Sequence, residues 1–305
     1  MRAREMIHQV IRKVYPISEL VVVGSTLSGC GSYNSDLDLC LCVKNHLGFY
    51  DESRSNGMKV LNHILNCFLK NRPAFLKDIE MIRAKVPILK FYMHHPYEKL
   101  EIDLNCNNTA GIYNTHLMHH YSRIDDRFSV LCLLMKHWAM SSGIKDAMAG
   151  TFNSYTLLLM VLHFLQVGCS PPVLPNLQHL FKDRFTDEIP LEQLGLFEDL
   201  PPWPLKFILK KLFTVIFFLG NEINTQSVGE LLIAFFDYYA NFDFDNFGIS
   251  ILRGDIFHRL VAYDFSFVKL VALEETTYQN HLNASKSSSK SHLMVRTLRV
   301  ALPRT

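Results

Sequence analysis

The chain has 305 residues, 49% of them hydrophobic and 20% charged. That length suggests about two domains, and the composition excludes a disordered polymer. Lysine and arginine number 31 against 29 acidic residues, for a net charge of +2. Five basic residues and no acidic ones follow Asn283 (Lys286, Lys290, Arg296, Arg299 and Arg304), so the 282 residues before it carry 26 basic and 29 acidic groups, a net −3. A body of that sign does not hold a polyanion by bulk charge. Any nucleic-acid contact must come from a local patch or a separate subunit.

Met1–Val14 interleaves charges with Ile7, Val10, Ile11 and Val14. That spacing predicts one helical face and not a signal peptide. The seven cysteines (Cys30, Cys40, Cys42, Cys67, Cys106, Cys132, Cys169) form no C-x-x-C pair and no zinc-ligand array with histidine. Reduced thiols of an intracellular protein are expected. The most apolar run, Leu212–Gly220, is far shorter than the roughly 20 residues a bilayer requires, so no membrane partner is expected.

After the first helix, Leu20–Val23 reads as a strand ending in Gly24-Ser25. Asp36–Val43 alternates strictly, with Leu37, Leu39, Leu41 and Val43 on one face and Asp36, Asp38, Cys40 and Cys42 on the other. Leu61, Ile64, Leu65 and Phe68 are spaced as a helix stripe. Val86–Met93 and Leu100–Asn105 read as a second pair of strands, the later one setting Glu101, Asp103 and Asn105 on its polar face. From Asn114 the pattern is helical. Val130, Leu131, Leu134, Met135 and Trp138 form one stripe, Ser154–Gln166 a strongly apolar helix, and Leu231, Leu232, Phe235, Phe236 and Tyr239 a third stripe. Pro171–Pro204 reads as loop. The serine- and lysine-rich segment after Asn283 reads as unfolded.

The sharpest feature is Gly24-Ser25 followed, after ten residues, by Asp36-Leu37-Asp38. Residues two apart on a strand share a face. Two carboxylates placed so repel one another unless cations lie between them. A pair of divalent ions fulfils that need and serves in-line phosphoryl transfer, and hard oxygen ligands suit Mg²⁺. Asp103 offers a third carboxylate. The competing reading is a solvated strand face, against which Cys40 and Cys42 on the same face speak.

The segment VVVGSTLSGCGSYNSDLDLCL resembles the signature of the polymerase-beta-like nucleotidyltransferases. The segments EIDLNCNNTAGIYNTHLM, LLMKHWA, TFNSYTLLLMVLHFL and VGELLIAFFDYYANFDFDNFGISI are similar to those of cytoplasmic poly(A) polymerases of the germline-development type, with terminal uridylyltransferases as close relatives. The resemblance spans residues 5–252. It implies an α/β (α+β) fold of two lobes, a small mixed-sheet catalytic lobe with helices on one side and a helical lobe, with the nucleotide between them. The boundaries it suggests are 1–112 for the catalytic domain and 113–252 for the helical domain, whose polymerase-associated segment covers about 226–252. A divergent, partly disordered tail is expected over 253–305.

In such enzymes the motif carboxylates, here Asp36 and Asp38, bind both of two Mg²⁺ or Mn²⁺ ions, and the third, here Asp103, binds one of them and helps deprotonate the RNA 3′-hydroxyl. Gly24 and Ser25 fall where the triphosphate is held, Asn114 and Thr115 near the ribose, Lys136 and Ser154 on the phosphates, and Tyr155 on the base. The implied reaction is template-independent addition of AMP from ATP to an RNA 3′ end, in the cytoplasm with a possible nuclear pool, with an RNA-binding protein partner selecting the target. A terminal uridylyltransferase, or an inactive scaffold binding RNA-regulatory proteins, is the alternative. Asn153 and Met140 depart from the family's serine and second helix lysine. Phe207–Gly220 matches no family segment, and Glu274-Glu275 only echoes one. His258 does not align well enough to carry a base-selecting role. The start of the chain close to the catalytic motif reads as a core or partial product.

Overall fold

The computed structural model describes residues 2–33, 35–145, 152–186, 188–195, 198–200 and 224–259. The run Leu212–Gly220, the pair Glu274-Glu275 and the tail from 260 onward lie outside the described residues. The chain divides into two compact units, Met1–His120 with Asp187–Leu196, and Tyr121–Thr186 with Phe197–Thr305.

The first unit is built on a five-stranded sheet: β1 (Glu19–Val23), β2 (Leu37–Cys42), β3 (Leu76–Ile82), β4 (Ile88–Met93) and β5 (Glu101–Cys106), in the order β1-β2-β5-β4-β3. The β2/β5 pair is parallel and the other pairs are antiparallel. Alternation gives the sheet one apolar face. Leu39, Leu41, Leu89, Phe91, Ile102 and Leu104 are fully buried there against α1 (Arg2–Ile11) and α2 (Arg54–Asn71), which supply Ile7, Ile11, Leu61, Ile64 and Phe68. Each such side chain contributes roughly 2 kcal/mol by leaving water. The Ser53 hydroxyl caps α2 by accepting from the Asn56 N–H.

Two features differ from the sequence expectation. Strand β3 was not foreseen, because its register shifts between Leu76 and Asp78. A bulge there puts Leu76 out of phase with Ile79 and Met81, and the period-two signal breaks. Nor do helices cover one face only. Cys40 and Cys42, at the far end of the polar face, are buried under Ile112 of α3 (Thr109–Ile124) and under Leu194. That packing explains two cysteines on an otherwise acidic strand face. The segment carrying Leu194 is tied down by Glu192, which pairs with Lys44 at 2.6 Å and accepts from the Tyr50 hydroxyl at 2.9 Å. The Lys44 contact, first among these, holds the Glu192 carboxyl down at about 2.

The second unit is helical: α4 (Asp126–Ser141), α5 (Ser154–His163) running into a π-helical turn (Phe164–Gly168), α6 (Leu177–Leu180) and α7 (Val228–Ala240). Its core sets Leu131, Met135, Leu157, Val161 and Phe164 with Phe235 and Tyr239 of α7, all fully buried. A capping box of Ser227 and Glu230 starts α7. An antiparallel hairpin of β6 (Phe247–Ser250) and β7 (Asp255–His258) joins the end of the polymerase-associated segment to the first residues beyond 252, with His258 edge-on to Phe247.

Candidate metal and nucleotide site

The register of the sheet assembles the acids. Val23, Asp38, Asp103, Lys90 and Glu80 are successive partners across β1, β2, β5, β4 and β3. Glu101 pairs with Tyr92 two residues along, in the next row on the same face. Asp36, just before β2, brings its carboxylate to the same place. One oxygen each from Asp36, Glu101 and Asp103 lie within 4.8 Å of one another.

The electrostatics are those of an acid cluster into which the Lys90 ammonium reaches. Lys90 Nζ pairs with the Glu101 carboxylate and stands 3.7 Å from Asp103 Oδ1. Tyr92 donates its hydroxyl to the other Glu101 oxygen. The Lys90 and Tyr92 hydrogen bonds hold the Glu101 carboxyl below its ordinary range. Burial pushes the Asp103 carboxyl up, against the pull of Lys90. The buried Asp103 Oδ1 accepts no hydrogen bond. A partly desolvated carboxylate oxygen whose ammonium partner stands 3.7 Å away, too far for a hydrogen bond, beside two further carboxylates, fits a divalent cation with hard oxygen ligands.

The Gly24-Ser25 turn closes the other side. Gly24 has φ +74°, and a Cβ there would fall on the Asp38 carboxylate, 2.7 Å from its Cγ. Only glycine allows this approach. The Gly24 N–H donates to Thr115 Oγ1 at 2.9 Å. Asn114 is half-buried, with its Oδ1 unsatisfied. Gly24, Ser25, Asp36, Asp38, Asp103, Asn114 and Thr115 thus all belong to the first unit. Lys136 lies on α4 of the second unit, and Ser154 and Tyr155 open α5 there, all three half-buried. Asn153 caps α5 by accepting from the Thr156 N–H at 2.7 Å, as a serine would, and Met140 is exposed on α4. Glu101 is the site residue that motif reasoning passed over. Its signal was its place two residues before Asp103 on the same polar face.

Residues 1–123 match the family described as Poly(A) RNA polymerase, mitochondrial-like, central palm domain. Residues 227–274 match Cid1 family poly A polymerase, which carries the likeness past residue 252. Poly(A) RNA polymerase gld-2 of Caenorhabditis elegans is 39% identical over 254 residues, which is 82% of this chain and 21% of the relative. The solved GLD-2/RNP-8 complex aligns with TM-score 0.71 at 37% identity, covering 85% of this chain and 74% of that one. The GLD-2–GLD-3 complex aligns with TM-score 0.66 at 31% identity, covering 96% and 90%. A five-stranded mixed sheet with aspartates on adjacent strands beside a Gly-Ser turn is the catalytic palm of a nucleotidyltransferase. Within that class, the chain belongs to the GLD-2-type poly(A) RNA polymerase family. It spans about a fifth of the length of the worm relative.

Proposed function

We propose that the chain adds AMP from ATP to RNA 3′ ends without a template. The observation that carries this reading is the pairing of Asp38 with Asp103 across β2 and β5, with Asp36 and Glu101 alongside, in a chain of this family. Asp36, Asp38 and Asp103 would hold two Mg²⁺ or Mn²⁺ ions. Bound there, the ions offset phosphate charge and make the 3′-hydroxyl more acidic. Asp103 accepts the hydroxyl proton; the freed oxygen bonds to the α-phosphorus and the bond to pyrophosphate breaks. The Gly24-Ser25 backbone cradles phosphate, and Asn114 turns its unsatisfied Oδ1 to a ribose hydroxyl. Lys136 and Ser154 serve the triphosphate and Tyr155 stacks on the base, a contact worth about 1–3 kcal/mol and tolerant of base identity. The likeness to poly(A) polymerases favours ATP as the substrate, and the base-tolerant stacking keeps its margin over UTP modest.

Target selection belongs to an RNA-binding protein, as the relatives seen with RNP-8 and GLD-3 suggest. A cytoplasmic location, with a nuclear pool, is part of the same proposal. The test is extension of a labelled oligo(A) primer with Mg²⁺ or Mn²⁺ and each nucleoside triphosphate separately. Extension by ATP supports the proposal. A strong UTP preference makes the chain a uridylyltransferase, and no extension by any nucleotide makes it a scaffold.

A further inference from the structure

We propose that Thr115 and His119, one turn apart on α3, are positioning residues that clamp the Gly24–Ser28 loop and through it set the two motif aspartates. The consequence for nucleotide use rests on the function proposed above; the clamp itself does not. Thr115 is 4% exposed. Its hydroxyl donates to the Gly111 carbonyl at 2.6 Å, so its proton is committed and a lone pair is left for the Gly24 N–H. One turn later, His119 Nδ1 lies 2.9 Å from the Leu27 carbonyl oxygen. A carbonyl only accepts, so Nδ1 carries the proton and the tautomer is fixed. The helix thus grips the loop at a donor and at an acceptor three residues apart.

The loop passes this grip to the acids. Ser28 N–H bonds back to the Gly24 carbonyl at 3.1 Å and closes the turn. The Thr26 hydroxyl donates to the Asp36 carbonyl at 2.9 Å. The Gly24 Cα lies against the Asp38 carboxylate. A loop displaced from α3 therefore moves Asp36 through its backbone and opens space beside Asp38. Phosphate-cradling amides have to be held in place before the ligand arrives if they are to favour it.

The test uses four variants, Thr115→Val, Thr115→Ser, His119→Gln and His119→Asn. Valine keeps the shape of threonine and removes the acceptor, whereas serine keeps it. Asparagine places an amide N–H where Nδ1 stands, whereas glutamine reaches the Nε2 position. Hydrogen–deuterium exchange of the Gly24–Ser28 amides is read first, without nucleotide. It is expected to quicken about tenfold in Thr115→Val and His119→Gln and to stay within about twofold of the native rate in Thr115→Ser and His119→Asn, the scale of one lost hydrogen bond. In primer extension, the KM for ATP is expected to rise about tenfold in the first two variants while the KM for primer is unchanged. Unchanged loop exchange in both Thr115→Val and His119→Gln overturns the clamp. Faster exchange with an unchanged KM for ATP overturns its role in nucleotide binding. If the native chain extends no primer, the function reading fails, and the exchange measurement still decides the clamp.

Discussion

Asp38 of β2 and Asp103 of β5 are direct register partners on parallel strands, and Lys90 of β4 is the next partner of Asp103. Neighbouring side chains in one row project to the same side of a sheet. Two carboxylates side by side, with Asp36 and Glu101 adjoining, raise the energy of the apo fold, and one ammonium offsets part of it. Stability and metal binding are therefore linked at this site, and each can be read without the other.

Asp103→Asn is expected to reduce primer extension by about a thousandfold or more, since metal-assisted charge stabilisation supplies several kcal/mol. The same variant is expected to unfold at a higher temperature than the native chain in EDTA, because a partly buried like charge is gone. Mn²⁺ should raise the native melting temperature and leave that of Asp103→Asn nearly unchanged. Near-native extension by the variant, or an equal Mn²⁺ shift, removes Asp103 from the metal site.

Lys90→Met leaves Glu101 and Asp103 without their ammonium. The pair is part-exposed, so the loss is expected near about 1–2 kcal/mol, below that of a fully buried ion pair. Urea unfolding in EDTA measures it. A divalent cation should restore most of the loss by supplying the missing charge. A variant as stable as the native chain in EDTA shows that the ammonium does not balance the acids.

Gly24→Ala meets two obstacles at once. The left-handed backbone costs about 1–2 kcal/mol for an L side chain, and the new methyl occupies the place of the Asp38 carboxylate. Primer extension is expected to fall more steeply than stability, because the displaced group is a site aspartate. Native-like kinetics in a soluble Gly24→Ala would mean that the Gly24–Asp38 approach does not matter to the reaction.

The acid face could be read from the sequence because alternation on β2 and β5 is unbroken: Leu37, Leu39 and Leu41 mark one face and leave Asp36 and Asp38 on the other. What alternation cannot give is register. That Asp38 faces Asp103, and that Lys90 follows, depends on which strands pair and at what offset. Glu101 was visible as a polar-face residue, but its nearness to Asp36 comes only from the parallel β2/β5 pairing. Strand β3 escaped because a bulge shifts its phase. The bond from Gly24 to Thr115 joins residues 91 apart and has no local signature. The β6–β7 hairpin, ending at His258, was masked by short strands of four residues each.

His163 gives the second unit a pH dependence of its own. The side chain is 0% exposed at the end of α5, with Nε2 3.0 Å from the Tyr238 hydroxyl and Nδ1 without a partner. Burial disfavours the imidazolium and lowers its pKa from 6.5 to about 4. The unfolded chain, with an ordinary histidine, binds a proton below about 6.5 that the folded chain takes up only near 4. Stability from this group is therefore complete above the unfolded pKa and is lost as pH falls between those two values. The full loss is on the order of 3 kcal/mol, at 1.36 kcal/mol per unit of pKa difference. Urea unfolding at a series of pH values from 7.5 downward measures it, comparing the native chain with His163→Gln, whose amide can still meet Tyr238. The native chain is expected to lose stability more steeply than the variant between about pH 6.5 and 4.5, and parallel curves would show that His163 is not held neutral.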